Sequence, residues 1–176
     1  MLHTNLAAQN FELTNLNIIQ QQINSSQKAS HQFEWLAAYF DQDNVSLKGF
    51  HKFFRESSEE ERELWFKLSK YIVERGGEVQ FKTVDYLQPK FNSVTEAVQF
   101  ALGLDKELNQ SYLKLEFSAL ELHDAHLNHF VKNKILQEYV ESIKKRSDMI
   151  TQLHRVSSTG LGVYLFNLRL LEEEGH

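Results

Sequence analysis

The feature that most restricts the fold of this chain is its near lack of proline. Pro89 is the only proline in 176 residues. Proline interrupts helices, so a chain with one proline can form long uninterrupted helices. Apolar residues also recur at intervals of three and four along most of the sequence, which is the spacing of one helix face. The sequence therefore predicts an all-α protein.

The apolar spacing and the turn residues predict five helices in one domain covering residues 1–176. They span roughly 12–40, 48–76, 94–123, 126–156 and 160–171. Short loops join the first helix to the second and the third to the fourth, so each pair must be antiparallel. The polar and apolar alternation of residues 78–92 predicts an extended connection. The result is a four-helix bundle with one long crossover and a short fifth C-terminal helix.

Composition excludes several classes of partner and location. The net charge of -5 gives no reason to expect nucleic acid or an anionic membrane as a partner. The absence of cysteine excludes disulfides and thiolate metal ligands. No apolar run reaches membrane-spanning length, and no signal peptide is evident at the N-terminus. We therefore expect a cytoplasmic protein.

Several stretches resemble the ferritin family closely and in order along nearly the whole chain. They are residues 39–48, 53–63, 75–77, 108–111, 126–127 and 160–166. The resemblance implies a ferritin-like bundle that assembles as a 24-mer cage, from copies of itself and/or catalytic ferritin subunits. It also implies an iron mineral core inside the cage.

The resemblance assigns six positions of this chain to the two-iron oxidation centre of catalytic ferritins. Four of them hold Ser26, Phe33, Leu64 and Tyr139. Only Glu61 and Asp105 remain as carboxylates, and we expect hydrogen bonds from Tyr139 or Ser26 to hold each of them. Serine is a poor iron ligand and leucine is none. We therefore expect that the chain has no oxidation centre and is not an enzyme. Two alternatives are weak residual iron oxidation and a single metal ion bound by Glu61, Asp105 and water.

An acidic run on the second helix is the main candidate binding surface. Four glutamates at i, i+3, i+4 and i+7 share one helix face: Glu56, Glu59, Glu60 and Glu63. A solvated surface is the simple interpretation. The resemblance implies instead a face on which light-type ferritin chains nucleate ferric mineral, because clustered hard oxygen ligands bind iron.

The resemblance also assigns residues to two kinds of channel between subunits. The three-fold channel would be lined by Glu116, Asn128, His129 and Lys132. Three copies of Lys132 would repel Fe²⁺, with Glu116 as the partner that offsets the charge. Three copies of His129 would form a site for Zn²⁺ or another divalent ion.

The four-fold channel would be lined by Leu161, Leu165 and Arg169 of the short fifth helix. That helix is too short to be stable alone, so it needs a partner surface. The partner is either the corresponding helix of other subunits or the helix's own bundle.

Two functions follow from these features. The first is an iron-storage subunit that binds ferric iron and supports mineral nucleation without its own oxidation centre, together with catalytic ferritin chains. The alternative is a ferritin-derived cage repurposed as a structural, storage or chaperone-like protein that handles little iron.

Overall fold

The computed structural model describes residues 5–156 and 160–172, and within these ranges it contains helices and no β-strand. The α-helices are α1 Leu13–Asp41, α2 Lys48–Glu74, α3 Val94–Glu121, α4 Ala125–Val131, α5 Gln137–Arg155 and α6 Leu161–Glu172. A π-helical turn, Lys132–Leu136, joins α4 directly to α5. The fourth predicted helix is therefore present as α4, this turn and α5. The prediction of a single domain over 1–176 stays a prediction.

The helices form a bundle in which α1 packs mainly along α2, and α3 packs along α4 and α5. Residues 77–93, between α2 and α3, contain no regular secondary structure. These residues are the long connection of the bundle, and α6 packs against α2. The arrangement confirms the all-α, ferritin-like four-helix bundle with a short C-terminal helix.

Local capping explains where the crossover begins and ends. Gly76 has a φ of 76° and closes α2 in the left-handed conformation that glycine adopts without strain. Ser93 precedes α3, and its Oγ accepts from the Glu96 N–H at 3.2 Å. The Glu96 carboxylate accepts in turn from the backbone N–H of Asn92 at 2.8 Å. The predicted capping box is present, with the returning bond shifted by one residue.

Stacked aromatic rings attach α6, the short C-terminal helix, to the bundle. The ring of Phe40 lies 5.1 Å from that of Phe50 and 5.5 Å from that of Phe54. Phe50 stacks in turn on Phe166 of α6, with ring centroids 5.6 Å apart. Such pairs stabilise a core by more than the area they bury. The apolar interior therefore continues from α1 through α2 into α6.

The approach of α6 to α2 depends on a glycine. The Gly49 N–H donates to Asn167 Oδ1 at 2.7 Å, in a buried contact. A Cβ at position 49 would lie 2.0 Å from the Asn167 backbone oxygen, closer than two nonbonded atoms can be. Only a residue without a side chain fits at this contact.

Replacing Gly49 by alanine should push α6 away from α2 and lower the free energy of unfolding by about 1–3 kcal/mol, the usual cost of overpacking. Gly103→Ala is the matched control, because a Cβ there meets nothing within 4 Å. It should stabilise α3 by about 0.5–1 kcal/mol, the helix-propensity difference between the two residues. Guanidinium unfolding followed by circular dichroism measures both changes. Equal effects of the two substitutions would contradict the close packing of α6.

No helix within residues 5–156 or 160–172 combines the length and apolar character needed to cross a membrane.

Candidate functional site

An acidic groove lies between α2 and α5 and has a volume of about 460 Å³. Carboxylates from both helices line it. Helix α2 contributes Glu56, Glu60, Glu61 and Glu63, and α5 contributes Glu138 and Glu141. Lys67, Lys145 and Arg146 also line the groove, so its negative charge is partly balanced within the same surface.

The structure separates the four glutamates of the acidic run. Glu56, Glu60 and Glu63 line the acidic groove, whereas Glu59 does not. Arg55 Nε donates to Glu59 Oε1 at 3.1 Å, and Arg55 Nη1 donates to Glu34 Oε1 of α1 at 2.8 Å. Glu59 therefore belongs to a surface ion-pair network between α1 and α2.

The acidic groove includes two carboxylates that the sequence pattern of α2 does not reveal. Glu138 and Glu141 are three residues apart on α5, which places them on one helix face. Their spacing shows from the sequence that they share a helix face, but it does not show that this face lies beside α2. Because Glu138 and Glu141 line the groove together with the α2 glutamates, the candidate site is a surface between two helices.

Burial and mutual repulsion make the groove carboxylates favourable cation ligands. Burial raises the pKa of Glu60, against the lowering effect of Arg146 and Lys145 and with a further raising effect from Glu56. Burial also raises the pKa of Glu138, against the effect of Lys67 and with the help of Glu141. A bound multivalent cation would relieve the repulsion and stabilise the ionised form of both groups.

The interior of the bundle holds Glu61 and Asp105, the two carboxylates that remain at the positions assigned to the oxidation centre of catalytic ferritins. The Tyr139 hydroxyl donates to Glu61 Oε1 at 2.6 Å, while Glu61 Oε2 has no hydrogen-bond partner in the described part of the chain. The Ser26 and Tyr112 hydroxyls hydrogen-bond to each other at 3.0 Å. Phe33 and Leu64 are core residues. The hydrogen bond expected from Tyr139 is therefore made to Glu61.

The partner of Asp105 is a cation, and neither Tyr139 nor Ser26 holds it. Arg146 Nη1 donates to Asp105 Oδ2 at 2.5 Å, and Arg146 Nη2 donates to Ser57 Oγ at 2.9 Å. The Arg146 guanidinium is nearly inaccessible to water and lies 4.9 Å from the Phe33 ring centroid. The expectation of neutral hydrogen-bond partners for Asp105 is thus corrected, because a buried carboxylate gains more from a paired guanidinium.

Arg146 was not predicted from the sequence, although a signal was present. It lies seven residues after Tyr139 and three before Met149, on the same buried stripe of α5. A charged residue on an apolar stripe indicates a buried partner of opposite charge. The structure identifies that partner as Asp105.

Protonation of Glu61 gives a testable effect of pH on stability. Burial raises its pKa to about 7, against an ordinary value near 4.5. At a pH between 4.5 and about 7, Glu61 is protonated in the folded chain and ionised in the unfolded chain. The group therefore destabilises the fold as pH rises through this window, by about 3 kcal/mol in total.

Glu61→Gln removes this titration and keeps an oxygen that accepts from Tyr139. We expect the variant to be about 2–3 kcal/mol more stable than the natural chain at pH 8 and to have no advantage at pH 4. Unfolding midpoints across this pH range measure the difference. A difference that stays constant from pH 4 to pH 8 would contradict the raised pKa.

Three of the four residues predicted for the three-fold channel, Glu116, Asn128 and Lys132, form a connected polar group near the start of the π-helical turn, while His129 contacts Asn133 instead. Lys132 Nζ lies 3.0 Å from Glu116 Oε1, and Asn128 Nδ2 donates to the same oxygen at 2.8 Å. The His129 ring Nδ1 lies 3.0 Å from Asn133 Nδ2. No three histidine or acidic residues in the described ranges are placed to hold a metal ion. Zinc binding at His129 stays a prediction.

The residues predicted for the four-fold channel lie on α6. Leu161 and Leu165 are exposed, while Val163, Phe166, Asn167 and Leu170 are buried on the opposite face. Arg169 lies over the Phe166 ring, 4.4 Å from its centroid, and donates to Gln152 at 2.9 Å. The two alternatives for α6 are therefore compatible, because it packs on its own bundle and still presents a second apolar face.

The topology of the bundle defines a ferritin-like protein. In agreement, the ferritin-like domain family matches residues 16–156. The chain belongs to the ferritin family, as the resemblance in its sequence predicted.

Relatives from a plant and two animals cover most of the chain. It is 43% identical over 171 residues to ferritin-1, chloroplastic, of Pisum sativum, covering 94% of this chain and 67% of that protein. It is 42% identical over 168 residues to soma ferritin of Lymnaea stagnalis, and the match covers 94% of this chain and 95% of that protein. It is 40% identical over 154 residues to ferritin of Pacifastacus leniusculus, and the match covers 86% of this chain and 84% of that protein. Because one of these names gives the chloroplast, a cytoplasmic location stays a prediction.

Family membership supports an iron-storage role and corrects one expectation. The prediction that the chain is not an enzyme is wrong, because close relatives in the ferritin family are ferroxidases. The prediction rested only on the residue types at four positions. Those replacements do not establish a loss of ferroxidase activity.

Proposed function

We propose that this chain is a subunit of an iron-storage cage and that its acidic groove binds ferric iron and nucleates the mineral. The observation that carries the proposal is the convergence of carboxylates from α2 and α5 on one groove. Carboxylate oxygens are hard ligands, and hard ligands suit small, highly charged cations such as Fe³⁺. Iron is the cargo of this site.

The geometry of the acidic groove favours several weakly held ions over one tightly held ion. Its volume of about 460 Å³ is far larger than one ion with its ligands requires. Glu60 and Glu63 of α2 line the same groove as Glu138 and Glu141 of α5, but no three acidic residues in the described ranges are placed to hold one ion. Each ion would therefore be held by one or two carboxylates and bridged to its neighbours by oxygen from water. Clusters of bridged ions are the first step in forming a hydrated ferric oxide. Lys67 and Lys145 limit the net charge, so bound ions remain able to join the growing mineral.

We propose that subunits assemble into the 24-mer, alone or with catalytic ferritin chains. Exposed apolar side chains support this, because a surface of this kind normally faces a partner. Leu161 and Leu165 of α6 are 72% and 56% exposed, and Phe117 and Leu120 of α3 are each 57% exposed. The two pairs lie on separate helices, so the partner surfaces must reach both α3 and α6.

The test of this function is to purify the assembled protein and load it with iron under air. Mass measurement gives the number of subunits, and elemental analysis gives the iron retained per particle. We expect a cage that retains iron against a chelator that removes surface-bound ions. An empty shell after loading would refute iron storage and support the repurposed cage.

For the three-fold channel we propose that Lys132 slows the passage of iron. The pairing with Glu116 at 3.0 Å supports this, because it consumes the carboxylate that would otherwise attract Fe²⁺. Lys132→Glu should raise the initial rate of iron uptake by about threefold, through a more negative potential. Lys106→Glu is the matched control, with the same charge change at an exposed position of α3. Equal uptake by both variants and the natural chain would end the proposal.

A further inference from the structure

Two tyrosines are stacked in the interior of the bundle, next to the acidic groove. Tyr112 of α3 and Tyr139 of α5 have ring centroids 5.4 Å apart and an interplanar angle of 28°. Tyr112 is completely buried, and Tyr139 is 4% exposed. Tyr139 also lines the acidic groove. The pair therefore lies next to the surface at which we propose that iron binds.

The hydroxyl groups of the two tyrosines have different partners. The Tyr139 hydroxyl donates to Glu61 Oε1 at 2.6 Å, the length of a charge-assisted hydrogen bond to a carboxylate. The Tyr112 hydroxyl lies 3.0 Å from the Ser26 hydroxyl. A carboxylate within hydrogen-bond distance is a base that can accept the phenolic proton, whereas a serine hydroxyl is not. Of the two tyrosines, Tyr139 is therefore the one whose proton has a base to receive it.

This difference determines which of the two tyrosines can lose an electron. Removing an electron from a phenol makes its hydroxyl strongly acidic, and a positive charge left in the interior would be costly. Transfer of the proton along the existing hydrogen bond to Glu61 leaves a neutral tyrosyl radical and a neutral carboxyl group. The oxidation of Tyr139 therefore creates no buried charge. The chain contains no cysteine, so no thiol within it competes for the oxidant.

A third buried tyrosine, Tyr71 of α2, is in a less favourable environment for oxidation. Its hydroxyl lies 3.0 Å from His126 Nδ1, so a proton acceptor is present. Arg75 Nη1 also donates to this hydroxyl, and a positive guanidinium this close opposes the loss of an electron. Tyr71 does not line the acidic groove. It is therefore a matched control for Tyr139.

We propose that Tyr139 is a redox-active residue that traps hydroxyl radicals formed in the acidic groove when Fe²⁺ reacts with hydrogen peroxide. The hydroxyl radical takes one electron and becomes hydroxide, the Tyr139 proton passes to Glu61, and a tyrosyl radical remains. A second Fe²⁺ then gives one electron and becomes Fe³⁺, and the proton returns from Glu61 to the Tyr139 oxygen. In sum, one hydrogen peroxide oxidises two Fe²⁺ and becomes two hydroxide ions. The proposal rests on iron reaching the groove, as the proposed function requires.

The first test uses no iron. The full-length assembled protein is oxidised by a photogenerated ruthenium polypyridyl complex at pH 8, above the Glu61 pKa of about 7. The sample is frozen after radicals on exposed tyrosines, such as Tyr86 and Tyr164, have decayed by coupling. Electron paramagnetic resonance should then show a long-lived tyrosyl radical. Ring-deuterated tyrosine should change its spectrum, which distinguishes tyrosine from tryptophan.

Three variants assign this radical. Tyr139→Phe should abolish the signal, because phenylalanine keeps the stacked ring and lacks the hydroxyl. Glu61→Gln should also abolish it, because an amide oxygen accepts the hydrogen bond but is not a base for the phenolic proton. Tyr71→Phe should keep the full signal. Circular dichroism and particle mass should show that all three variants fold and assemble.

The second test adds Fe²⁺ and hydrogen peroxide, with a spin trap in solution that collects the hydroxyl radicals released. Tyr139→Phe should release more of them than the natural chain, and Tyr71→Phe should match the natural chain. A long-lived radical that both Tyr139→Phe and Glu61→Gln retain in the first test would overturn the proposal. Equal release by the natural chain and Tyr139→Phe, in protein that retains iron, would also overturn it. Because the first test contains no iron, it separates a failure of Tyr139 from a failure of iron to reach the groove.

Discussion

Replacing Arg146 by methionine is expected to lower the free energy of unfolding by about 3–5 kcal/mol, the cost of leaving a buried charge without its partner. Methionine keeps much of the volume between the Phe33 and Phe53 rings, so the main loss is the ion pair with Asp105. Burial raises the pKa of Asp105 to about 6, even with Arg146 beside it. The destabilisation should therefore be larger at pH 8, where the unpaired carboxylate is charged, than at pH 5.

The double variant Asp105→Leu/Arg146→Met distinguishes the contribution of the ion pair to stability from the contribution of side-chain packing. Replacing both members of a buried ion pair by apolar residues is often neutral or stabilising, so we expect most of the lost stability to return. Guanidinium unfolding should be compared at one protein concentration, because assembly adds a concentration-dependent contribution. A loss below about 1 kcal/mol for the single variant, at the level of an exposed pair, would contradict the buried pairing.

Neutralising the acidic groove should produce the largest effect on iron handling. In the triple variant Glu56→Gln/Glu60→Gln/Glu63→Gln, three of the groove carboxylates lose their charge while the shape of the surface is kept. We expect the initial rate of mineral growth to fall by about thirtyfold. This corresponds to about 2 kcal/mol, or about 0.7 kcal/mol for each carboxylate, within the range of exposed charge interactions.

The control for this variant uses glutamates outside the acidic groove. Glu59→Gln/Glu74→Gln/Glu121→Gln changes the net charge by the same amount, and none of these residues lines the groove. Both variants should be supplied with Fe³⁺ from a soluble chelate, so that mineral growth does not depend on prior oxidation. Growth rates followed by light absorption should fall only for the groove variant. Equal reductions would mean that overall charge, and not the groove, controls mineral growth.

The fold could be predicted from the sequence because its signals are local. The spacing of apolar residues, Gly76 and the Ser93 cap fix the helix ends, and short loops then fix which helices are antiparallel. The π-helical turn at Lys132–Leu136 could not be predicted in this way. The apolar spacing around the turn continues without a visible interruption. A π-helical turn contains one more residue than an α-helical turn, and this extra residue is set by packing in the bundle, which the sequence pattern does not show.

The candidate site was only partly predictable, because its contacts join distant parts of the chain. Glu56, Glu60 and Glu63 were identified from their spacing on one helix. Their separation from Glu59 depends on Arg55, which reaches Glu34 on another helix. The pairing of Asp105 with Arg146 depends on the register between α3 and α5. Periodicity identifies a buried stripe, but it does not identify which residues of two stripes meet.

The assignment of enzyme activity shows a different limit. The residue types at Ser26 and Leu64 predicted a chain without iron oxidation, and membership of the ferritin family contradicts that inference. A ligand set taken from a resemblance describes one arrangement of oxygen and nitrogen ligands. It does not exclude chemistry by other carboxylates, and this chain has several of them in one groove.

The most direct test of the central claim is to locate bound iron in crystals of the assembled protein after loading with a few Fe³⁺ per subunit. Anomalous scattering at the iron absorption edge distinguishes iron from water and lighter ions. We predict iron peaks in the acidic groove, within coordinating distance of Glu60 or Glu63 on α2 and Glu138 on α5. Iron bound only elsewhere on the subunit, with no peak in the groove, would contradict the proposed function of this surface.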